Sequence, residues 1–156
     1  MLKELRGSSV LSLVSDYRNK IQDSFLKIRA RVFDIFPNVF SPEVFTYERY
    51  KWAYVILDSH SIFWDGQAHL VPLLDLINCR PRRHGGKSYD TEMDATGEHA
   101  IAITSEPFGA DDQLFEDYEQ ANYAYFLYHG FVLPDNDFHD CVRVVISVPE
   151  NDKQYV

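Results

Sequence analysis

The sequence predicts an α+β fold, because its apolar residues recur first with the period of a helix and later with the period of a strand. Between Val10 and Val32, apolar residues recur at steps of three and four, which is typical of an amphipathic helix. From Glu98 to Thr104 the period changes to two, as in a half-buried strand. The run 141–148 is rich in β-branched residues and favours a further strand. At 156 residues, the chain has the length of one domain.

Composition indicates a globular protein with an acidic surface. Apolar residues make up 46% of the chain and aromatic residues 15%, more than disordered chains carry. The net charge of −9 disfavours nucleic acid as a partner, since phosphate binding needs clustered Lys and Arg. A basic polypeptide suits such a surface better, although an excess of charge is typical of any solvated surface. Cys79 and Cys141 form no C-x-x-C pair, so we expect no metal site.

Nothing in the sequence indicates a membrane protein. No run of apolar residues approaches the ~20 needed to cross a bilayer. The start of the sequence has neither a secretory nor a basic targeting pattern. We therefore expect no membrane partner and a cytoplasmic or nuclear location.

Two helices are predicted before the strands. The first ends before Pro37, and its apolar stripe is expected to form core. Thr46 is a good N-cap for the second, which carries Trp52–Ala53. A short strand is predicted near Leu114–Phe115, after a turn.

Two segments lie between the second helix and the first strand. Residues 69–78, HLVPLLDLIN, form a nearly continuous apolar run that predicts a buried element ending in polar groups. Asp75 in such surroundings must be paired or capped, since an unpaired buried charge is costly. The plainest interpretation is that Asp75 and Asn78 bond to local backbone. Residues 80–96 lack apolar periodicity and predict an exposed loop with a basic patch.

Two runs carry the most specific patterns. The first is LVPLLDLIN at 70–78, followed by Cys79. The second, FEDYEQANYAYFLYHGF at 115–131, places Tyr118 before Asn122 and ends in a glycine–phenylalanine pair. Together they resemble SET domains of the class similar to the Rubisco large-subunit methyltransferase. In that class the first run reads L-V-P-L-x-D-x-x-N-H, and the second has a catalytic tyrosine–glycine pair, an asparagine and then Y-G-F or H-G-F.

The chain departs from the family pattern at four positions. Cys79 replaces a histidine, and His60 replaces the arginine that usually follows serine near the end of the second helix. Asp111 and Glu119 each replace a glycine. Aspartate tolerates a left-handed backbone, so the change at Asp111 is mild. At Glu119 the same conformation would cost roughly 1 kcal/mol or more.

The resemblance implies a SET-domain-like fold, with N-terminal helices followed by small antiparallel β-sheets and a knot-like crossing. That crossing would bring the segments of Asn78 and Tyr118 together. Within one domain, 1–156, we expect a helical insert region at 8–60, a C-terminal SET portion at 68–148 and a tail at 149–156.

The resemblance also implies an S-adenosylmethionine-dependent protein methyltransferase, most often directed at lysine, or an incomplete portion of one. Its partner would be a protein or peptide substrate, whose amine must lose its proton in a dry, aromatic channel before transfer. By resemblance, the site residues are Tyr118 for catalysis, Asp75, Asn78 and Cys79 for the cofactor, and Asn122, Tyr128 and Phe131 for the substrate channel.

Two other functions remain open. SET domains place a G-x-G loop in strands before the region of resemblance, and nothing before Leu11 contains one. We therefore expect weak cofactor affinity from this chain alone, because fewer contacts must offset the cost of ordering. The chain could instead be a catalytically inactive SET-like interaction module that holds a peptide in an aromatic groove. It could also need a partner chain that completes the cofactor site.

Overall fold

A computed structural model of the protein describes residues 3–64, 66–81, 90–104 and 107–142. The elements in chain order are α1 (Val10–Ile28) with a π-helical turn (Arg29–Phe33), α2 (Tyr47–His60), β1 (Ile62–Trp64), β2 (Gln67–His69), a 3₁₀ helix (Leu74–Leu76), β3 (Asn78–Cys79), β4 (Asp90–Met93), β5 (Ala100–Ile103), β6 (Phe115–Glu116), and α3 (Asn122–Ala124) with a second π-helical turn (Tyr125–His129). In these ranges no helix is both long and apolar enough to cross a membrane.

The two predicted helices are confirmed and pack against each other through aromatic rings. Phe25 of α1 is buried, and its ring centroid lies 5.4 Å from that of Tyr50 in α2. The Tyr17 hydroxyl donates to Asp58 Oδ2 at 2.7 Å, which ties the same two helices together further along. Thr46 caps α2 as predicted, since its hydroxyl accepts a hydrogen bond from the Arg49 amide at 3.4 Å.

The described strands form three sheets of two strands each. β1 pairs antiparallel with β2, and β4 pairs antiparallel with β5. The third pair, β3 and β6, is parallel, with Asn78 opposite Phe115 and Cys79 opposite Glu116. The prediction of antiparallel sheets is therefore wrong for this pair, because two segments distant in sequence run side by side in the same direction. This pair brings the Asn78 and Tyr118 segments together, as predicted.

The segment 69–78 is not the buried element that its apolar run predicts. Leu74 is 8% exposed, but Leu70, Leu73 and Leu76 are 54%, 79% and 66% exposed. The chain reverses at Leu73, which has a φ of 75°, and continues into a single 3₁₀ turn. With three residues per turn, such a helix directs successive side chains to three different sides, so one leucine points inward.

The remaining predictions about loops and strands have different outcomes. The exposed loop predicted at 80–96 is wrong at Asp90–Met93, which form β4, because backbone pairing with β5 does not require an apolar pattern. The strand predicted at 141–148 lies largely outside the described residues, and Cys141 and Val142 are not in a strand. The strands predicted near 98–104 and 114–115 are confirmed as β5 and β6.

A second apolar cluster centres on Tyr125, whose side chain is fully buried. Its ring stacks on that of Phe131 at 5.2 Å between centroids and lies 6.3 Å from that of Tyr118. The His129 ring completes the cluster at 6.0 Å from Tyr125. The cluster supports the segment that follows β6 from one side, and the candidate site lies on that segment.

Candidate active site

A cavity of about 400 Å³ opens beside Tyr118. The end of α2, β1, the 3₁₀ helix, β6 and the segment after β6 form its walls. The residues that line it include His60, Ile62, Leu74, Asp75, Thr91, Glu116, Asp117, Tyr118, Glu119, Gln120 and His129.

Tyr118 is half-buried and held at both ends. Its hydroxyl donates to the Ile77 carbonyl oxygen at 2.6 Å, and its ring lies 5.4 Å from that of His129. Burial, and after it the nearby Cys79 and Glu116, together raise the pKa of Tyr118 to about 12. The hydroxyl therefore stays protonated at neutral pH, so it can orient a group by hydrogen bonding but cannot act as a base.

A tight turn directly after Tyr118 fixes the tyrosine's backbone. Glu119 has a φ of 53°, in the left-handed region. The buried carboxylate of Asp117 accepts the Glu119 amide hydrogen at 2.9 Å and contacts His139 Nε2 at 3.2 Å. Asn136, also buried, donates from Nδ2 to the Gln120 carbonyl at 2.8 Å. The turn is thus held by side chains from the segment 136–139.

Two histidines, His60 and His129, also line the cavity. His60 Nδ1, at the end of α2, lies 3.2 Å from the carbonyl oxygen of Asp75 and 3.6 Å from its carboxylate. Asp75 thus has a neighbouring group that can pair with it, as its apolar surroundings require. Burial lowers the pKa of His129, and the charge of His60 lowers it further. His129 is therefore neutral at pH 7.

The structure brings some of the predicted site residues to the cavity and not others. Tyr118 and Asp75 line it. Asn78 and Cys79 lie beside it in β3, paired with β6. Cys79 Sγ donates to the Tyr125 hydroxyl at 3.4 Å, and burial raises the pKa of the thiol. The thiol is therefore neutral and contacts the aromatic cluster.

The three residues predicted for the substrate channel lie elsewhere. The Asn122 side chain accepts the Leu133 amide hydrogen at 2.9 Å and donates to the Leu133 carbonyl at 3.0 Å. Tyr128 packs edge-on against Tyr17 of α1, and Phe131 stacks on Tyr125. None of the three is among the residues that line the cavity, and their assignment to a substrate channel stays a prediction.

Sequence reasoning missed several residues that line the cavity. Glu116 could have been found, because it stands two residues before Tyr118 and directly after the strand predicted near Leu114–Phe115. Asp117 and His129 carry no sequence signal, since their roles depend on contacts with distant segments. Gln120 Oε1 is buried without a hydrogen-bond partner among the described residues.

Acidic side chains outnumber basic ones among the described residues that line the cavity. Four carboxylates line it, from Asp75, Glu116, Asp117 and Glu119. Among the lining residues that the structure describes there is no lysine or arginine. Such a wall favours a cationic ligand, because several carboxylates in a partly desolvated site attract positive charge.

Solved structures share this fold. The Rubisco large-subunit methyltransferase bound to AdoMet superposes with a TM-score of 0.73 at 23% identity, covering 97% of this chain and 34% of that one. The SET domain of the same enzyme, bound to lysine and AdoHcy, gives a TM-score of 0.68 over 86% of this chain and 32% of that one. The fold is that of a SET domain. The predicted resemblance is thereby confirmed.

The curated relatives that this chain matches are much longer than the chain itself. The actin-histidine N-methyltransferase of Mus musculus is 28% identical over 119 residues, or 72% of this chain and 19% of the relative. That of Homo sapiens is 26% identical over 117 residues, with 71% and 19% covered. The chain thus spans about a fifth of the length of the curated relatives it matches. No protein-family model matches the chain.

Proposed function

We propose that this chain carries the catalytic half of a protein-lysine N-methyltransferase that uses S-adenosylmethionine. The observation that supports this most directly is the place of Tyr118, whose protonated hydroxyl lies on the wall of an acidic cavity in a SET-domain fold. A protein or peptide would be the substrate, in the cytoplasm or the nucleus.

The residues around the cavity fit the cofactor. A volume of about 400 Å³ lies within the range of small-molecule sites. The carboxylate wall matches the sulfonium and ammonium charges of S-adenosylmethionine, and Gln120 Oε1 offers an acceptor for a ligand N–H. Asp75, Asn78 and Cys79 would hold the cofactor from the 3₁₀ helix and β3. When bound, the cofactor supplies an activated methyl group on sulfur.

Tyr118 contributes positioning rather than chemical activation. Tyr118 is fixed at its ring by His129 and at its backbone by the turn at Glu119, so its oxygen has a defined position. Its oxygen can accept a hydrogen bond from a substrate amine while its own hydrogen bond to the Ile77 carbonyl is kept. Alignment of this kind accounts for a large part of catalysis when reacting atoms must lie in line.

Lysine is the target that the cavity's charge favours. A lysine side chain arrives as an ammonium at neutral pH, whereas most of an unperturbed histidine population arrives uncharged. The carboxylate wall therefore attracts lysine more strongly. The curated relatives are named for a histidine target, so peptides with either residue belong in the assay.

Tyr118→Phe tests the proposal. We expect methyl transfer to a peptide mixture to fall by about tenfold or more, because the orienting hydroxyl is lost while the ring remains. Stability should fall by no more than about 1 kcal/mol, the worth of one hydrogen bond. Tyr123→Phe, at a half-buried tyrosine outside the cavity, is the matched control. Radiolabelled methyl incorporation and thermal unfolding are measured on both variants.

A non-catalytic peptide-binding module is the second candidate function. It is favoured by the hydrogen bond from Tyr118 to the Ile77 carbonyl, a contact that a purely structural tyrosine also makes. Under this alternative, Tyr118→Phe lowers the melting temperature and leaves methyl incorporation at the level of the Tyr123→Phe control.

A further inference from the structure

Glu116 stands beside Tyr118 on the wall of the cavity. It is the last residue of β6, and both side chains line the same space. It is half-buried, and its charge acts on its neighbours by raising the pKa of both Tyr118 and Cys79. A carboxylate is therefore held next to the hydroxyl that would orient the substrate.

Thr91 of β4 fixes the Glu116 carboxylate. The threonine hydroxyl donates to Glu116 Oε2 at 3.0 Å. The other carboxylate oxygen has no hydrogen-bond partner among the described residues. Burial raises the pKa of Glu116, and the bond from Thr91 partly opposes this shift. Glu116 thus has one oxygen anchored and one oxygen available to a ligand.

No lysine or arginine forms an ion pair with Glu116 among the residues that the structure describes. Arg80 lies over the rings of Phe115 and Phe108, at 4.6 Å and 6.0 Å from their centroids. Phe115 precedes Glu116 in β6, so the two side chains point to opposite faces. Among the described residues, the titratable groups that share the cavity or adjoin it are Asp75, Asp117, Glu119, His60, His129, Tyr118 and Cys79.

We infer that the Glu116 carboxylate binds the protonated amine of the target side chain and removes its proton before methyl transfer. This inference rests on the proposed function. In the step, one N–H bond of the ammonium breaks and its proton bonds to a Glu116 oxygen. The electron pair of that bond stays on nitrogen, which becomes the neutral nucleophile that Tyr118 orients. The carboxylic acid then returns its proton to water at the cavity mouth.

The charge on the target makes this step necessary. A lysine ammonium has no lone pair, and its ordinary pKa near 10.4 leaves few neutral amines at pH 7. Ion pairing with one carboxylate favours the ammonium, but desolvation in the cavity favours the neutral pair of amine and acid. A half-buried glutamate with a raised pKa is suited to take the proton in such a site.

Binding of free L-lysine tests the inference without any need for turnover. The full chain is titrated with L-lysine and with L-norleucine, which has a similar side chain without the amine, and amide shifts are followed by NMR. We expect L-lysine to shift residues around Glu116 and Tyr118 and to bind at least about tenfold more tightly than L-norleucine, because a charge-assisted hydrogen bond is involved. Glu116→Gln should remove this difference.

Glu92→Gln is the matched control. It removes the same charge from an exposed position next to Thr91 in β4, outside the cavity. The amide oxygen introduced by Glu116→Gln can still accept the hydrogen bond from Thr91, and thermal unfolding checks that both variants fold. Equal binding of L-lysine and L-norleucine, or equal L-lysine affinity in Glu116→Gln and Glu92→Gln, would overturn the inference.

A pH–rate profile separates this inference from the proposed function. In the wild type, kcat/KM should fall on acidification as Glu116 becomes protonated, and Glu116→Gln should lose that limb together with at least about tenfold in kcat/KM. An unchanged acid limb in Glu116→Gln, with methyl transfer intact, overturns the role of Glu116 and leaves the proposed function standing. Absence of methyl transfer in the wild type at saturating S-adenosylmethionine overturns the proposed function, and the proton-transfer step with it. Binding of L-lysine still decides whether Glu116 holds an ammonium.

Discussion

At the scale of single residues, the turn after Tyr118 is the most informative feature. Glu119 and Asp111 both have a positive φ, of 53° and 67°. Both stand where the family pattern has a glycine, the residue that most readily adopts this conformation. Leu73, with a φ of 75°, carried no such signal because no glycine is expected at its position in the family pattern. Backbone strain at functional turns is therefore readable from sequence where a glycine is replaced, and unreadable elsewhere.

Glu119→Gly should stabilise the protein. A left-handed conformation costs a residue with a Cβ about 1–2 kcal/mol. Glycine removes that cost but loses about 0.5–1 kcal/mol through its freer unfolded chain. We expect a net gain of about 0.5 kcal/mol in the free energy of unfolding, measured by urea denaturation. Glu119→Ala, which removes the side chain and keeps the Cβ, is the control. A loss of stability in the glycine variant relative to the alanine variant would show that the turn is not strained.

His129 should make stability fall in mild acid. Its pKa in the folded chain is lowered, first by burial and then by the charge of His60. Below pH 6.5, the ordinary pKa of histidine, His129 of the unfolded chain takes up a proton that His129 of the folded chain does not. The free energy of unfolding therefore decreases as the pH is lowered. His129→Gln should lose less stability than the wild type between about pH 7.5 and about pH 5.5, by thermal unfolding. Equal losses in both proteins would contradict the pKa shift.

At the scale of elements, those that depend on contacts between residues close in sequence were predictable, and those that depend on distant segments were not. The helix α1 and the cap of α2 depend on neighbours within a few residues, and both were predictable from the sequence. β4 depends on its ladder with β5, so its polar residues did not indicate a strand. The two-residue strands β3 and β6 are too short for any periodicity, and their approach was predictable only through the resemblance to SET domains.

The site divides in the same way. Tyr118 and Asp75 were predictable because they stand in specific motifs, and the structure brings both to one cavity. Asn122 stands in a motif as well, but its side chain is used to clamp Leu133. A motif thus locates a segment reliably, whereas the direction of each side chain depends on contacts that the sequence does not reveal.

At the scale of the whole molecule, the acidic composition and the carboxylates of the cavity both favour a cationic ligand. The net charge is −9, and the described residues that line the cavity beside Tyr118 include four with carboxylate side chains. A cationic cofactor and a lysine side chain would both be attracted to such a surface. The composition alone disfavoured nucleic acid as a partner but could not place the cavity.

Mapping the cofactor product on the full chain tests the central claim, that the Tyr118 cavity is the cofactor site. S-adenosylhomocysteine is titrated to millimolar concentration, and backbone amide shifts are followed by NMR. We predict that the shifted amides lie in 60–62, 75–79 and 117–120, with those of Leu13, Tyr123 and Phe126 on a separate apolar surface unchanged. No shifts at millimolar ligand, or shifts confined to that apolar surface, would contradict the account.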